Sequence, residues 1–276
     1  MKIRHQATDF AKLQSQAEAA RLARVAGVPT PEVLYAGLAA AVGGRPVVIL
    51  RYIPGMDAEE AMPALDEPQR ALLFSDFGTA VGRLHRVGLP HFTERIGAPD
   101  AAVGDWTTVV RRAAERYAEW NRAAGMLAAP EIAAIRERLI GAAAGVAAEV
   151  SPAITHRDLY LANVLASDGR FAALLDFELA KGYDPLLDFV KLGGFVFERW
   201  PASLKPFMAA YRHGVGRAPR VEERLSVCLA LEQFVALPNW VQLGEERLAR
   251  DTRDRLRAWL RGSSPWWVTR IVAALG

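Results

Sequence analysis

Apolar residues recur at helical spacing over 10–26, behind the cap-type pair Thr8 and Asp9, and Gly27 with Pro29 stops the pattern. Two short apolar runs follow, 33–36 and 46–52, each bounded by Gly or Pro, and these predict strands. Pro54-Gly55 predicts a turn. From Asp66 the period changes. Helices are expected over 67–87, ending at Gly88, over 105–124, ending at Gly125, and over 131–150, ending at Ser151-Pro152. Three strand-like pieces, 153–155, 163–166 and 171–175, then interrupt the helical texture, the last two joined by the turn signal Ser167-Asp168-Gly169. Helices resume at about Asp184 and continue to the C-terminus, and no internal repeat or low-complexity linker is visible. The pattern predicts a small β-containing N-terminal piece, a hinge over 52–55, and a large helical lobe carrying one hairpin-like insert.

Composition narrows the class without changing that picture. The chain has 276 residues, 51% hydrophobic and 24% charged, the profile of a globular protein able to bury a sizeable core. Its formal charge is only +3, although the sequence pI is about 9.2, too small a surplus to imply a nucleic-acid partner. Arg247, Arg250, Arg253 and Arg255 alternate with Asp251 and Asp254, as on a solvated helix face. The single cysteine, Cys228, lies in an apolar stretch where a small buried side chain is expected, and no Cys/His cluster has zinc-ligand spacing. The N-terminal charges have no apolar segment behind them, and the run 33–50 is broken by Gly43, Gly44, Arg45 and Pro46. A cytoplasmic protein without a membrane partner is expected, and no protein partner is implied.

The chemistry concentrates in the insert, which reads Thr155-His156-Arg157-Asp158-Leu159-Tyr160-Leu161-Ala162-Asn163, with Asp176-Phe177-Glu178 thirteen positions beyond Asn163. Phosphoryl transfer needs a group that orients or deprotonates the attacking hydroxyl, and hard oxygen ligands for the magnesium that offsets phosphate charge. Asp158 suits the first task. Asn163 and Asp176 suit the second, because each carries oxygen and the two are expected on adjacent strands. Glu178, two residues on, is expected to share a strand face with Asp176 and add a ligand. Taken singly, each residue has a bland reading as a cap or a solvated polar position. The joint spacing, with oxygen donors at the ends of one hairpin, points to function.

This pattern resembles the catalytic and metal-binding loops of protein-kinase-like enzymes, His-Arg-Asp-x4-Asn followed by Asp-Phe-Gly. More closely it resembles the aminoglycoside phosphotransferase and choline kinase-like family, with His-Gly-Asp-x4-Asn, then Asp-x-Asp/Glu, then Gly-Asp-Pro-x-x-Asp. The stretch from Gly182 through Tyr183, Asp184, Pro185, Leu186 and Leu187 to Asp188 matches the last with one inserted residue. No activation segment closed by Ala-Pro-Glu follows Glu178, which favours a small-molecule acceptor. Gly82-Arg83-Leu84-His85 and Tyr52-Ile53-Pro54-Gly55 also resemble family segments. Gln16-Ala17-Glu18-Ala19-Ala20, ahead of Val28-Pro29-Thr30-Pro31, resembles the helix whose glutamate pairs with the ATP lysine. The likeness runs from residue 1 to about 195 and becomes only general helical texture beyond.

The resemblance implies an α+β, bilobal protein-kinase-like fold. Residues 1–53 would form a partial N-terminal lobe, and 54–276 a large, mainly helical C-terminal lobe carrying the catalytic and metal loops. It implies Asp158 as catalytic base, Asn163 and Asp176 as Mg2+ ligands with Glu178 as a possible third, and ATP or GTP as co-substrate. The backbone of Leu50, Arg51, Tyr52 and Ile53 would meet the nucleobase, Lys2 and Glu18 would form the phosphate-side pair, and His156 and Asp188 would brace the loop. Two features depart from the family. The strands and glycine-rich loop that precede the lysine strand have no counterpart, which leaves three readings open: a start upstream of the recorded one, a natural short form, or lost strong nucleotide binding. Arg157 stands where the family usually has Gly.

Family members phosphorylate aminoglycosides, other antibiotics, choline, homoserine, ketoamines and similar alcohols. Here an aminoglycoside or related antibiotic is the first expectation and a metabolite alcohol the second. Glu232, in an apolar helical context, and Trp240, beside Asn239, are candidate substrate contacts. A non-catalytic nucleotide-binding protein on the same fold is the rival from another class. A purely structural helical protein would leave the spacing of Asp158, Asn163, Asp176 and Glu178 to chance.

Overall fold

The computed structural model describes residues 10–276, which fall into two compact units. One runs to Ala102 and resumes over Pro152–Arg217; the other comprises Val103–Ser151 and Ala218–Gly276.

In the first unit, α1 (Phe10–Val25) buries Leu13, Ala17, Ala20 and Ala23 and packs on the antiparallel pair β1 (Val33–Ala39) and β2 (Arg45–Leu50). The small side chains let the helix lie close to the pair. After β2 the chain leaves regular structure, and its departure point is pinned: Arg51 N–H donates to the Glu32 carbonyl at 2.9 Å, and Arg51 Nε donates to Glu32 Oε2 at 2.7 Å. The strand β3 (Met56–Asp57) then begins a second sheet, and α2 (Ala58–Ala61) follows, its N–H groups capped by the Asp57 side chain. Next, α3 (Glu67–His85) starts at a reciprocal capping box: Gln69 N–H donates to Asp66 Oδ1 at 2.8 Å, and Asp66 N–H donates to Gln69 Oε1 at 3.0 Å. Phe92–Thr93 forms β4, and Ala102–Val103 forms β5, where the chain leaves the unit.

On re-entry, β6 (Ala153–Thr155) leads into the insert. A 3₁₀ turn over Leu161–Asn163 precedes β7 (Val164–Ser167), and a tight turn joins β7 to β8 (Arg170–Leu174). That turn needs two consecutive left-handed residues, and Asp168 (φ 51°) and Gly169 (φ 73°) supply them. Strand β3 pairs with β7 on the side away from β8. A short strand that the hydrophobic pattern does not mark, β9 (Lys181–Tyr183), lies between β4 and β6. Helical structure resumes at α6 (Asp188–Lys191) rather than at Asp184, because Asp184 caps a 3₁₀ turn over Pro185–Leu187. A π-helix over Leu192–Phe197 follows, then α7 (Leu204–Val215), which packs closely along α3. Phe77, Phe189 and Phe207 fill the space beneath them; the Phe77 and Phe207 rings meet edge to face at 5.2 Å.

The second unit is helical: α4 (Trp106–Ala124), α5 (Ala129–Val146), α8 (Val221–Gln242), α9 (Glu246–Leu260) and α10 (Trp266–Leu275). Asp105 caps α4 and Gly125, at φ 68°, ends it. The helix expected over 131–150 gives way to a 3₁₀ turn after Val146. Asn121 Nδ2 donates to the Phe234 carbonyl at 2.7 Å, tying α4 to α8, and Arg257 Nε donates to Glu131 Oε1 at 2.7 Å, tying α9 to α5. No helix among the described residues is long and apolar enough to cross a membrane.

Candidate active site

The loop between β6 and β7 is held by one buried carboxylate. Asp188, the first residue of α6, accepts the backbone N–H of His156 at 2.8 Å on Oδ2 and that of Arg157 at 2.6 Å on Oδ1. Oδ2 also accepts Nε2–H of buried His85, at the end of α3, at 2.9 Å, and His85 Nδ1 meets the Tyr211 hydroxyl at 2.9 Å. Burial alone would raise the Asp188 pKa. The hydrogen bond and charge of His85, with help from His156, outweigh it, and the carboxyl sits below its ordinary range. These bonds form a chain from α7 through α3 and α6 to the loop.

His156 carries the tie onward. A carbonyl can only accept, so His156 Nε2 bears the proton it shares with the Leu175 carbonyl at 2.8 Å, and Nδ1 accepts the Asp158 N–H at 3.3 Å. Burial pushes the His156 pKa down against the opposing pull of Asp188, so the ring is neutral and acts as a strut. Leu175 N–H in turn donates to the Asn163 carbonyl at 2.8 Å. One neutral ring thus links the backbone of Asp158 to the residue preceding Asp176.

Asn163 donates both amide protons to Asp158, to its carbonyl at 2.9 Å and to Oδ2 at 2.8 Å. Both partners are acceptors, which fixes the amide orientation and leaves Asn163 Oδ1 as the outward oxygen. Asn163 and Asp176 both line a cavity of about 420 Å³. Its other walls are Gln16, Ala17 and Ala20 of α1, Val33 and Val48 of the first sheet, and the chain from Leu50 to Ile53. The cavity is apolar along the sheet and carries oxygen at the Asn163 and Asp176 end. An amide oxygen and a carboxylate are the hard donors that suit magnesium, which takes few protein ligands and fills its shell with phosphate and water. No group of three His, Cys, Asp or Glu side chains able to hold a metal occurs among the described residues. The residues present fit such an ion.

Three expectations need correction. Glu178 does not share a strand face with Asp176. The strand β8 ends at Leu174, Asp176 takes a left-handed conformation (φ 60°), and Phe177–Leu179 coils into a 3₁₀ turn, so a period of two does not apply. Asn163 and Asp176 flank the hairpin rather than lying within its strands. Glu18 does not line the cavity: it lies against Gly97, within 3.6 Å of Arg21, while its neighbours Gln16 and Ala17 form the wall. Lys2 lies outside the described residues. Glu232 and Trp240 both lie on α8 in the second unit, Glu232 buried and Trp240 half-buried. The sequence reading missed His85 as a functional position, although it had singled out the segment that contains it.

A family model described as "phosphotransferase enzyme family" matches residues 1–224. No curated protein matches the chain. Among solved structures, the chain is similar to a putative aminoglycoside phosphotransferase from Ralstonia eutropha JMP134, at 14% identity and TM-score 0.68, over 92% of this chain and 85% of that one. It is also similar to a thermostable mutant of aminoglycoside phosphotransferase APH(4)-Ia in ternary complex with ADP and hygromycin B, at 18% identity and TM-score 0.61, over 91% and 84%. A third similar structure is the gentamicin complex of APH(2'')-IIa, at 18% identity and TM-score 0.56, over 94% and 83%. At these identities the likeness establishes the fold, which is protein-kinase-like.

Proposed function

The chain belongs to the phosphotransferase enzyme family, and from that premise we propose that it moves the terminal phosphoryl group of ATP or GTP to a hydroxyl of a small molecule. An aminoglycoside or related antibiotic is the first acceptor class and a metabolite alcohol the second. The observation that carries the reading is the Asp158–Asn163 pair, locked at 2.8 Å beside a cavity that the chain from Leu50 to Ile53 also lines. The named complexes of similar structures, with ADP and hygromycin B and with gentamicin, support the acceptor class and the nucleotide.

In this reading the base enters between α1, the first sheet and the hinge, and its phosphates point toward Asn163 and Asp176. Those two side chains would hold magnesium, with Glu178 a further oxygen donor, and the bound ion would offset charge on the phosphates. Asp158 faces the acceptor. As the hydroxyl oxygen attacks the γ-phosphorus, its proton passes to the Asp158 carboxylate and the bond to the bridging oxygen breaks, releasing the nucleoside diphosphate. His156 and Asp188 keep the loop in place and touch no reacting atom.

The test is transfer of label from ATP or GTP to a panel of aminoglycosides and simple alcohols. Asp158→Ala is expected to lower kcat about 10²-fold or more. Unchanged turnover in that variant would remove Asp158 from the mechanism, and labelling of alcohols without any aminoglycoside would shift the acceptor to the second class.

A further inference from the structure

The α6 helix grips the catalytic loop with its first residue, and its last residue returns to the same loop. Lys191 Nζ donates to the Tyr160 hydroxyl at 2.7 Å and lies 4.7 Å from the centre of the Tyr160 ring. That ring meets Phe195 edge to face at 4.8 Å, and Phe195 in turn lies 5.9 Å from the ammonium. A lysine on a surface normally roams over many rotamers, and holding it still has an entropy cost. Here two aromatic rings and a hydroxyl keep its head in one place, with the side chain 19% exposed.

The position matters more than the anchoring. Lys191 Nζ stands 4.0 Å from Asp158 Oδ1. The other carboxylate oxygen, Oδ2, is already committed to Asn163. A separation of 4.0 Å is too long for a direct hydrogen bond, but an oxygen about 2.8 Å from each atom fits between them. Two N–H donors of the ammonium remain after Tyr160 has taken one. The base and the cation therefore stand close enough for one oxygen to contact both.

We propose that Lys191 is a catalytic cation of the transfer, held by Tyr160 so that its ammonium meets the acceptor oxygen as that oxygen bonds to the incoming phosphoryl group. This rests on the phosphotransferase reading above. The acceptor O–H gives its proton to Asp158 Oδ1, the acceptor O–P bond forms, and the bond from phosphorus to the bridging oxygen breaks with its electron pair leaving on the nucleoside diphosphate. Lys191 stays protonated throughout. Its free N–H donors strengthen their contact as negative charge gathers on the phosphoryl oxygens, which is where a fixed cation favours the transition state over bound substrate. Tyr160 is a positioning residue: it acts through Lys191.

The experiment compares wild type with Lys191→Met, Lys191→Arg and Tyr160→Phe in steady-state transfer. It also measures by calorimetry the affinity for magnesium-ADP with and without aluminium fluoride, a mimic of the phosphoryl group in flight. Lys191→Met is expected to lose about 10²-fold in kcat with KM for nucleotide nearly unchanged, and to lose the fluoride-dependent gain in affinity while binding ADP itself as wild type does. Lys191→Arg recovers at least about tenfold over Lys191→Met, and Tyr160→Phe falls in between. The proposal is overturned if Lys191→Met keeps wild-type kcat and fluoride-dependent affinity. It is equally overturned if Met and Arg variants lose activity alike through a raised KM, the mark of a purely structural lysine. Wild type that transfers phosphate to no acceptor overturns the phosphotransferase reading itself. Wild-type transfer with an unimpaired Lys191→Met overturns only the role of the lysine.

Discussion

Asp188 Oδ1 accepts the backbone N–H of Arg157 at 2.6 Å, and this bond holds Arg157 in a left-handed conformation with φ 65°. The family pattern usually has glycine here, the residue that reaches such a conformation without a steric cost. The arginine is accommodated because the carboxylate fixes its N–H and its guanidinium lies 5.7 Å from the Tyr183 ring. Arg157→Gly removes the backbone strain and the ring contact together, whereas Arg157→Ala removes only the contact. The glycine variant is expected to be more stable than the alanine variant by about 1 kcal/mol in urea unfolding. An alanine variant equal to or better than glycine would show that the left-handed turn costs nothing.

Replacing Asp188 is a harsher change. Its carboxylate serves the N–H groups of His156 and Arg157 and the His85 ring, all from one buried position. Asp188→Asn keeps the shape but turns one acceptor oxygen into a donor, so an N–H group faces another N–H. A loss of roughly 2–4 kcal/mol is expected, with turnover falling because Asp158 is no longer held. An unaltered urea midpoint would mean that the loop does not depend on this carboxylate.

His156 and Asp188 together set an acid limit on stability. His156 is buried and its folded pKa is lowered, so the unfolded chain takes up its proton first as pH falls below about 6.5, and stability drops from there. The folded pKa of Asp188 is lowered too, so its contribution is present above the unfolded value near 3.9 and is lost as pH falls through the folded value. Both shifts act in one direction. Metal-free urea midpoints are expected to decline between pH 7 and 5 and more steeply below 4. His156→Gln, which can still donate to the Leu175 carbonyl, flattens the upper part of that decline. A profile level from pH 7 to 5 in the wild type would contradict the neutral strut.

Much of this site was legible because its local chemistry agrees with its tertiary use. Gly125 ends its helix where the sequence places the stop, and Asp168-Gly169 makes the hairpin turn. The run 33–36 marks the start of β1, and residues 50–53, at the end of β2 and just beyond it, line the cavity. What failed depended on distant partners. Three residues with a central glycine carry no strand pattern, so β9 becomes visible only when β6 pairs with it. The left-handed Asp176 breaks the alternation that had placed Glu178 on its face. His85 and Asp188 are 103 residues apart, and nothing local in either announces the bond. Lys191 was unremarked for the same reason: its importance lies in Tyr160 and Asp158, both about 30 residues earlier in the chain.

Gly55 offers a test of the cavity that leaves the oxygen-bearing residues untouched. It lies in the hinge at φ 145°, where side chains are rarely tolerated, and lines the cavity beside Ile53. A Cβ added there would stand 2.6 Å from the Ala166 carbonyl oxygen and 3.0 Å from Leu165 Cγ, both in β7. Backbone cannot yield as a flexible side chain can, so Gly55→Ala must push the hinge away from β7. If that hinge receives the nucleobase, KM for nucleotide is expected to rise about tenfold, with a stability loss of roughly 1–3 kcal/mol and a smaller change in KM for the acceptor. Gly141 is the control: it sits exposed in the middle of α5 with nothing within 4 Å of an added Cβ, and Gly141→Ala is expected to stabilise by up to about 1 kcal/mol at unchanged KM. Should Gly55→Ala bind nucleotide as wild type does while Gly141→Ala behaves as expected, the base does not sit against this hinge.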